Sequence, residues 1–286
     1  MSAILTEKAL LVELRIGNWS GRRYDPSASL SLADTYRNDP EYARVNKAII
    51  AKDEIKKILR VVNMARRVHY EMTLPWGDGG LRLLPGELYL EYSRKIGSLK
   101  QQFVAKVEKF CLAYPRLVKA AQGVLNGLFN PDDYPSIDEV RRKFSFDIHF
   151  SPISDASDLR VKLQAHEVDK LRRDIESRQG ELQEEAMRSL WKRLYEVIRP
   201  LAEKLNDPTG IFRDSLVGNV HDLVTLLPSL NVTQDPELTR MANEVRRKLC
   251  GYSPEELRKA EGARGKAARD ADEILERMKG YVGKAA

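Results

Sequence analysis

The stretch 164–207 constrains the fold of this chain most, because its apolar residues recur at three- and four-residue spacing between charged ones. That pattern predicts a single helix of about 40 residues, which at 1.5 Å per residue would be roughly 60 Å long. One small core cannot cover that length, so part of the apolar stripe should contact another long helix or another chain. The residues predicted to contact such a partner are Val168, Leu171, Ile175 and Leu182.

The stripe is not a regular coiled-coil seam. Arg178 and Glu185 occupy positions where a strict heptad has apolar residues, and Pro200 removes a backbone hydrogen bond inside the predicted helix. We therefore expect a bent or divided helix that forms the spine of an α-rich domain. Its N-terminal half is the expected contact for another chain.

Alternating apolar residues predict strands near residues 10–16, 142–150 and 158–163. An isolated hairpin is rarely stable, so the three strands are expected to form one antiparallel sheet. Together with the helical patterns, this predicts a mainly α fold with a small antiparallel β-sheet, of the α+β class.

Two further helical patterns cover residues 40–73 and 86–128, separated by the glycine-rich segment 77–80. A short loop between two long helices predicts an antiparallel helical hairpin, and the glycines predict a tight turn between the helices. We expect one α-rich domain over residues 1–250, with its long helix at 164–205. A C-terminal helix and polar tail are expected to follow over residues 251–286.

Composition excludes several classes of protein. No apolar run approaches the roughly 18 residues that a membrane-spanning helix needs, so no membrane contact is expected. Charged residues interrupt the N-terminal segment, which does not resemble a secretory signal. The expected location is therefore the cytoplasm.

No catalytic or metal-binding motif is present. Cys111 and Cys250 lie far apart in sequence, and the four histidines form none of the spacings typical of zinc sites. We therefore expect no metal, no cofactor and no catalytic residue. The weak alternative, a hydrolase or nuclease, rests on Asp147 and His149, which share the polar face of a predicted strand.

Basic residues concentrate in one part of the chain. Residues 44–119 hold 16 Lys and Arg against 7 Asp and Glu, a net charge of +9, whereas residues 151–286 hold 24 of each. Such a surface attracts phosphate backbones, although a solvated helix surface is an equally good interpretation. The candidate nucleic-acid-binding residues are Lys56, Lys57, Arg60, Arg66, Arg67, Arg94, Lys95 and Lys100, with Tyr70, Trp76 and Tyr89 as candidate stacking residues.

Five segments resemble an uncharacterised family, catalogued as a domain of unknown function, of tailed phages and proteobacterial prophages. They are residues 70–76 (YEMTLPW), 80–85 (GLRLLP), 125–131 (LNGLFNP), 144–150 (FSFDIHF) and 210–216 (GIFRDSL). The resemblance covers roughly residues 5–249. It implies a phage or prophage origin, a bacterial host cytoplasm, and genes near those of a MoxR-like AAA+ ATPase and a von Willebrand A-like protein. It supplies no catalytic residues.

Two hypotheses of different class follow. The first is a non-enzymatic phage protein that acts by oligomerisation or by docking a phage or host partner, for which a AAA+ ATPase is one candidate. The alternative is a nucleic-acid-binding accessory protein for phage replication, recombination or transcription.

Overall fold

The computed structural model describes residues 2–39, 41–154, 164–207 and 212–282. The helices are α1 (Ser2–Lys8), α2 (Pro26–Tyr36), α3 (Lys52–Met72), α4 (Tyr89–Leu125), α5 (Ile137–Arg142), α6 (Ala165–Asn206), α7 (Asp214–Leu230), α8 (Pro236–Leu249), α9 (Pro254–Lys259) and α10 (Glu261–Val282). The strands are β1 (Ala9–Gly17), β2 (Arg22–Tyr24), β3 (Asn46–Ala48), β4 (Leu74–Pro75), β5 (Arg82–Pro85) and β6 (Ser145–Ser151). The predicted class is therefore confirmed: the chain is mainly α with small antiparallel sheets.

The larger sheet has four strands in the order β4-β5-β1-β6. Strands β1 and β5 are antiparallel, with Ala9 opposite Pro85 and Val12 opposite Arg82. Two of its strands, β1 and β6, match the predicted strands at 10–16 and 142–150. The third predicted strand, 158–163, lies outside the described residues.

The glycine-rich segment 77–80 was wrongly interpreted as a turn between two helices. It lies instead between β4 and β5, which pair as a hairpin with Leu74 opposite Leu83. Gly77, Gly79 and Gly80 all have positive φ angles, which side chains with a Cβ rarely adopt, and this explains three glycines in four positions.

The helix predicted from residue 40 begins only at Lys52. Residues Asn46–Ala48 are extended and pair antiparallel with Arg22–Tyr24. Ile49 and Ile50 follow this strand and are both buried, so they add to the core of unit 2 before the helix begins.

The long helix was predicted correctly. Helix α6 runs for 42 residues and continues through Pro200, so the predicted division of the helix there is wrong. Its buried residues begin at Leu182 and continue to Leu205. Arg264 of α10 donates hydrogen bonds to the carbonyls of Lys204 and Leu205 at 2.8 and 2.9 Å, and so caps the C-terminal end of α6.

Helix α10 packs along α6. The small residues that made this segment resemble a polar tail form its packing face, because Ala267, Ala268 and Ala271 are all buried, as are Ile274 and Met278. Small side chains allow two helices to approach closely, which suits a helix lying against the spine.

The described chain divides into two compact units. Unit 1 comprises residues 1–13, 70–92 and 149–286, and it contains α6 to α10. Unit 2 comprises residues 14–69 and 93–148, and it contains α2, α5, most of α3 and most of α4. Each unit has its own buried residues, and unit 2 is built around aromatic rings.

Candidate nucleic-acid interface

The two compact units differ in net charge. Unit 2 holds 22 Lys and Arg against 12 Asp and Glu, a net charge of +10, whereas unit 1 holds 26 against 30, a net charge of −4. The linear sequence hides this separation because unit 2 consists of two segments on either side of a part of unit 1. A concentrated positive charge on one unit favours contact with an anionic partner.

Helix α4 carries the densest part of this charge. Its residues 93–125 include seven basic side chains and a single acidic one. All seven are exposed: Arg94, Lys95, Lys100, Lys106, Lys109, Arg116 and Lys119. Apart from Lys95, none of them has an acidic partner within ion-pair distance among the described residues.

Four of the seven form a row, which we call the α4 basic face: Arg94, Lys109, Arg116 and Lys119. At 3.6 residues per turn they fall within an arc of about 80°, and at 1.5 Å per residue they span roughly 37 Å. This length corresponds to several consecutive phosphates of a nucleic-acid strand. The face is therefore long enough for a multivalent contact with a phosphate backbone.

The aromatic core of unit 2 determines which way α4 faces. Phe103 and Phe110 are buried on the side of the helix opposite the α4 basic face. Phe110 lies edge-on to Trp19 and Phe144, with ring centroids 6.2 and 5.9 Å away, respectively. Burial of these rings fixes the rotation of α4 and leaves its lysines and arginines in water.

The single acidic residue of this stretch, Glu108, is neutralised locally. Arg141 of α5 donates from Nε to Glu108 Oε1 at 3.2 Å, and a second guanidinium nitrogen lies 3.4 Å from Oε2. The pair resembles the two-point contact typical of arginine and carboxylate groups. It offsets the charge of Glu108, while Arg141 at the same time pairs with Asp138 of α5 at 2.9 Å.

The predicted basic residues of α3 are also exposed: Lys56, Lys57, Arg60, Arg66 and Arg67. Lys56 and Lys57 form ion pairs at 2.7 Å with Asp53 and Glu54, one helical turn earlier. These two pairs cancel part of the charge on α3. The α3 residues are consequently weaker candidates for phosphate contacts than the α4 basic face.

The predicted stacking aromatics do not lie on unit 2. Trp76 is buried, Arg82 covers the ring of Tyr70 at 4.7 Å, and the ring of Tyr89 lies 5.4 Å from that of Phe150. All three belong to unit 1. These rings contact other residues of unit 1. Their contacts do not support the prediction that they stack on nucleic-acid bases beside the basic residues.

The residues predicted to contact a partner divide into two groups. Leu182 is buried inside unit 1 at 9% exposure, close to the hairpin loop at Gly77. Leu171 is 38% exposed, and Val168 and Ile175 are half-buried. The first three turns of α6 therefore leave the apolar surface of Leu171, and part of that of Val168 and Ile175, in water.

Groups that could support catalysis are dispersed. Asp147 and His149 are exposed on β6, and no cluster of three or more potential metal ligands occurs in the described ranges. Burial raises the pKa of both thiols, Cys111 and Cys250, which disfavours the reactive thiolate. A histidine near the end of a helix is usually expected at the surface, but His69 is buried at 4% exposure.

Comparisons with protein-family models, curated proteins and solved structures find no match to this chain. Across the described residues, no helix has the length and apolar character needed to cross a membrane. The α4 basic face is thus the arrangement whose chemistry is most specific, because it offers several unpaired cations in one row.

Proposed function

We propose that this chain is a non-enzymatic nucleic-acid-binding protein that holds phosphate backbones along the α4 basic face. The observation that carries the proposal is the ratio of seven exposed basic residues to one acidic residue over residues 93–125. A helix surface that serves only solubility usually mixes both signs of charge, as α6 does with its pairs such as Arg188 with Glu184.

Contacts of this kind are expected to be independent of base sequence. Lysine and arginine bind phosphate oxygens by charge, and phosphates are the same at every nucleotide. Each neutralised phosphate releases bound counterions, so the affinity should fall steeply as salt concentration rises.

Fluorescence anisotropy with a labelled duplex of about 20 base pairs, at about 50 and about 200 mM salt, tests the proposal. The test variant is Lys109→Gln/Arg116→Gln, which removes two charges from the centre of the face. We expect weaker binding to every sequence, and a slope of log affinity against log salt that is shallower by about 2.

The matched control is Lys192→Gln/Arg199→Gln, which removes two exposed charges from α6 in unit 1. Lys192 and Arg199 each lie near a glutamate one turn away, at 3.9 and 3.8 Å. The control should bind like the wild type. Absence of wild-type binding near 50 mM salt, or equal losses in both variants, would refute the proposal.

A second candidate function is self-association through residues 165–181 of α6. This segment contains none of the buried residues of the helix, and Val168, Leu171 and Ile175 follow heptad spacing along it. It carries four basic and five acidic residues, so an antiparallel second copy of this chain could match the charges of both signs.

Light scattering coupled to size-exclusion chromatography tests the second candidate. We expect a dimer that Leu171→Lys converts to a monomer, because a buried unpaired lysine disfavours the interface. The control Leu90→Lys alters a leucine that is 79% exposed elsewhere in unit 1 and should leave the dimer intact. A monomeric wild type would exclude a second copy as the partner and direct attention to a different protein, such as the AAA+ ATPase.

A further inference from the structure

In unit 2, strand β2 is followed by α2 and then by β3, which pairs with β2. We call residues 22–48 the excursion. Its base is joined by the β2–β3 pair and by a hydrogen bond from Asp25 N–H to the Val45 carbonyl at 2.9 Å. The hydroxyl of Ser29, fully buried, accepts from Val45 N–H at 2.9 Å and donates to the Asp25 carbonyl at 2.7 Å. The backbone of this excursion is therefore held at its base.

Two large tyrosines lie at the far end of the excursion. Tyr36 is 74% exposed at the last turn of α2, and Tyr42 is 84% exposed in the turn that follows. The Asp39 carboxylate accepts from Glu41 N–H at 2.9 Å, and the Asp39 carbonyl accepts from Tyr42 N–H at 3.0 Å. Neither tyrosine side chain has a ring or hydrogen-bond partner among the described residues.

A third aromatic ring, near the β2–β3 pair, makes a cation–π contact. The guanidinium of Arg44 lies 4.7 Å from the ring centroid of Tyr24, which is 37% exposed. Among the acidic residues nearby, Asp34 lies two positions before Tyr36, about 200° around the helix, so its side chain projects from another face. Asp39 and Glu41 lie between the two tyrosines in the chain, and the Asp39 carboxylate accepts from Glu41 N–H.

The excursion is attached to the C-terminal end of α4. Lys47 of β3 donates to the carbonyl of Leu128, three residues beyond the end of α4, at 2.7 Å. Lys119, the last residue of the α4 basic face, precedes Leu128 by nine positions in the chain. The exposed tyrosines thus belong to the same unit as the basic face and connect to the end of the same helix.

We infer that Tyr36 and Tyr42 stack on unpaired bases of a single-stranded nucleic acid whose phosphates contact the α4 basic face. The inference rests on the proposed function and specifies its substrate as single-stranded. An exposed tyrosine presents a flat apolar ring that stacks on any base, whereas bases within a duplex are already stacked on one another.

Two labelled oligonucleotides of about 20 nucleotides test the inference: oligo(dT), and a strand of the same length in which every position is abasic. Both carry the same phosphates, but only oligo(dT) carries bases. We expect the wild type to bind oligo(dT) at least about fivefold more tightly per stacked tyrosine than the abasic strand. Tyr36→Leu/Tyr42→Leu should abolish this difference, and Tyr36→Phe/Tyr42→Phe should retain it.

The outcomes separate the inference from the function on which it rests. Equal wild-type affinity for the two strands overturns base stacking and leaves phosphate binding intact. Failure to bind either strand near about 50 mM salt removes both. A leucine variant that loses affinity for both strands equally also overturns the inference, because stacking cannot affect an abasic strand. The comparison of strands with wild-type protein requires no variant to fold.

Discussion

Replacement of Lys47 by methionine should destabilise unit 2 by about 3 kcal/mol, because it leaves the buried carboxylate of Asp25 without a counter-charge and leaves Asp133 with only the exposed Arg23, 3.7 Å away. The ammonium group of Lys47 lies 2.8 Å from Asp25 Oδ2 and 2.8 Å from Asp133 Oδ2. The contact with Asp133 is an ion pair rather than a hydrogen bond, since Oδ2 lies outside hydrogen-bonding geometry. The Lys47, Asp25 and Asp133 side chains are 9, 7 and 12% exposed, so water screens them poorly.

The magnitude follows from what remains after the substitution. Methionine has nearly the length of lysine, so the cavity is small and the cost is mainly electrostatic. Breaking a buried ion pair typically costs about 3–5 kcal/mol. The lower end applies here because all three side chains keep some contact with water.

The stability that these residues contribute should also depend on pH. The backbone N–H of Ala28, followed by Lys47, holds the pKa of Asp25 below its ordinary value of 3.8, so wild-type stability from this group is lost as the pH falls below about 4. Burial lowers the pKa of Lys47, but the two carboxylates beside it outweigh burial and raise that pKa overall, so its contribution is lost only at strongly alkaline pH. The charges on Asp25 and Lys47 are therefore present at pH 7.

In Lys47→Met, Asp25 loses the cation that favours its charged form and takes up a proton more readily. We therefore expect the deficit relative to the wild type to shrink as the pH is lowered from 7 towards 4.5. Urea unfolding followed by circular dichroism measures the deficit, and hydrogen exchange of residues 22–48 locates it.

The control Lys56→Met removes a lysine whose pair with Asp53 is exposed at 49 and 83%. No measurable change is expected, since exposed pairs contribute little. A Lys47→Met protein as stable as the wild type, or a deficit that grows on acidification, would show that the Lys47 cluster does not hold the excursion in place.

Two glycines provide opposite predictions in the same urea titration. Gly21→Ala should cost at least about 2 kcal/mol, because Gly21 has a φ of +63° and a Cβ there would lie 2.2 Å from Cδ1 of the buried Ile55. Gly180→Ala should instead raise stability by up to about 1 kcal/mol, because this helical glycine of α6 has no atom within 4 Å of an added Cβ. Equal effects of the two substitutions would contradict the backbone argument.

Long periodic elements could be predicted from the sequence because their signals are repeated many times. Helix α6 runs over Ala165–Asn206, against a predicted 164–207, since its stripe recurs through more than ten turns. The pattern Ser136-x-x-Glu139 is equally legible in the sequence as a capping box, and both of its reciprocal hydrogen bonds are present. Such signals depend only on neighbouring residues, which the sequence displays directly.

The short strands could not be predicted because two or three residues show no period. Strand β4 has two residues and β3 has three, so their conformation is decided by partners distant in sequence. Val45 and Ile49 happened to continue the apolar stripe of α3, and the helix was therefore extended too far towards the N-terminus. Tertiary pairing with Arg22–Tyr24 prevailed over that local pattern.

The candidate site was predicted in part. All the basic residues proposed from the sequence are exposed, and Lys106 and Lys109 were noted on the same helix, but Arg116 and Lys119 were not singled out. Their signal was available in the near absence of acidic residues from 93–125. The exposed tyrosines were missed because Tyr36 and Tyr42 lie outside regular patterns, where sequence gives no indication of which side a ring faces.

The difference between the two units explains why net charge alone is a weak guide for this chain. A total of +6 is modest for 286 residues, yet unit 2 alone has +10 and unit 1 offsets it with −4. A phosphate backbone responds mainly to charges within about 10 Å at physiological salt, so it senses the local surface rather than the total. The α4 basic face would therefore attract nucleic acid as strongly as a far more basic protein, while the acidic excess of unit 1 limits non-specific contacts elsewhere on the chain.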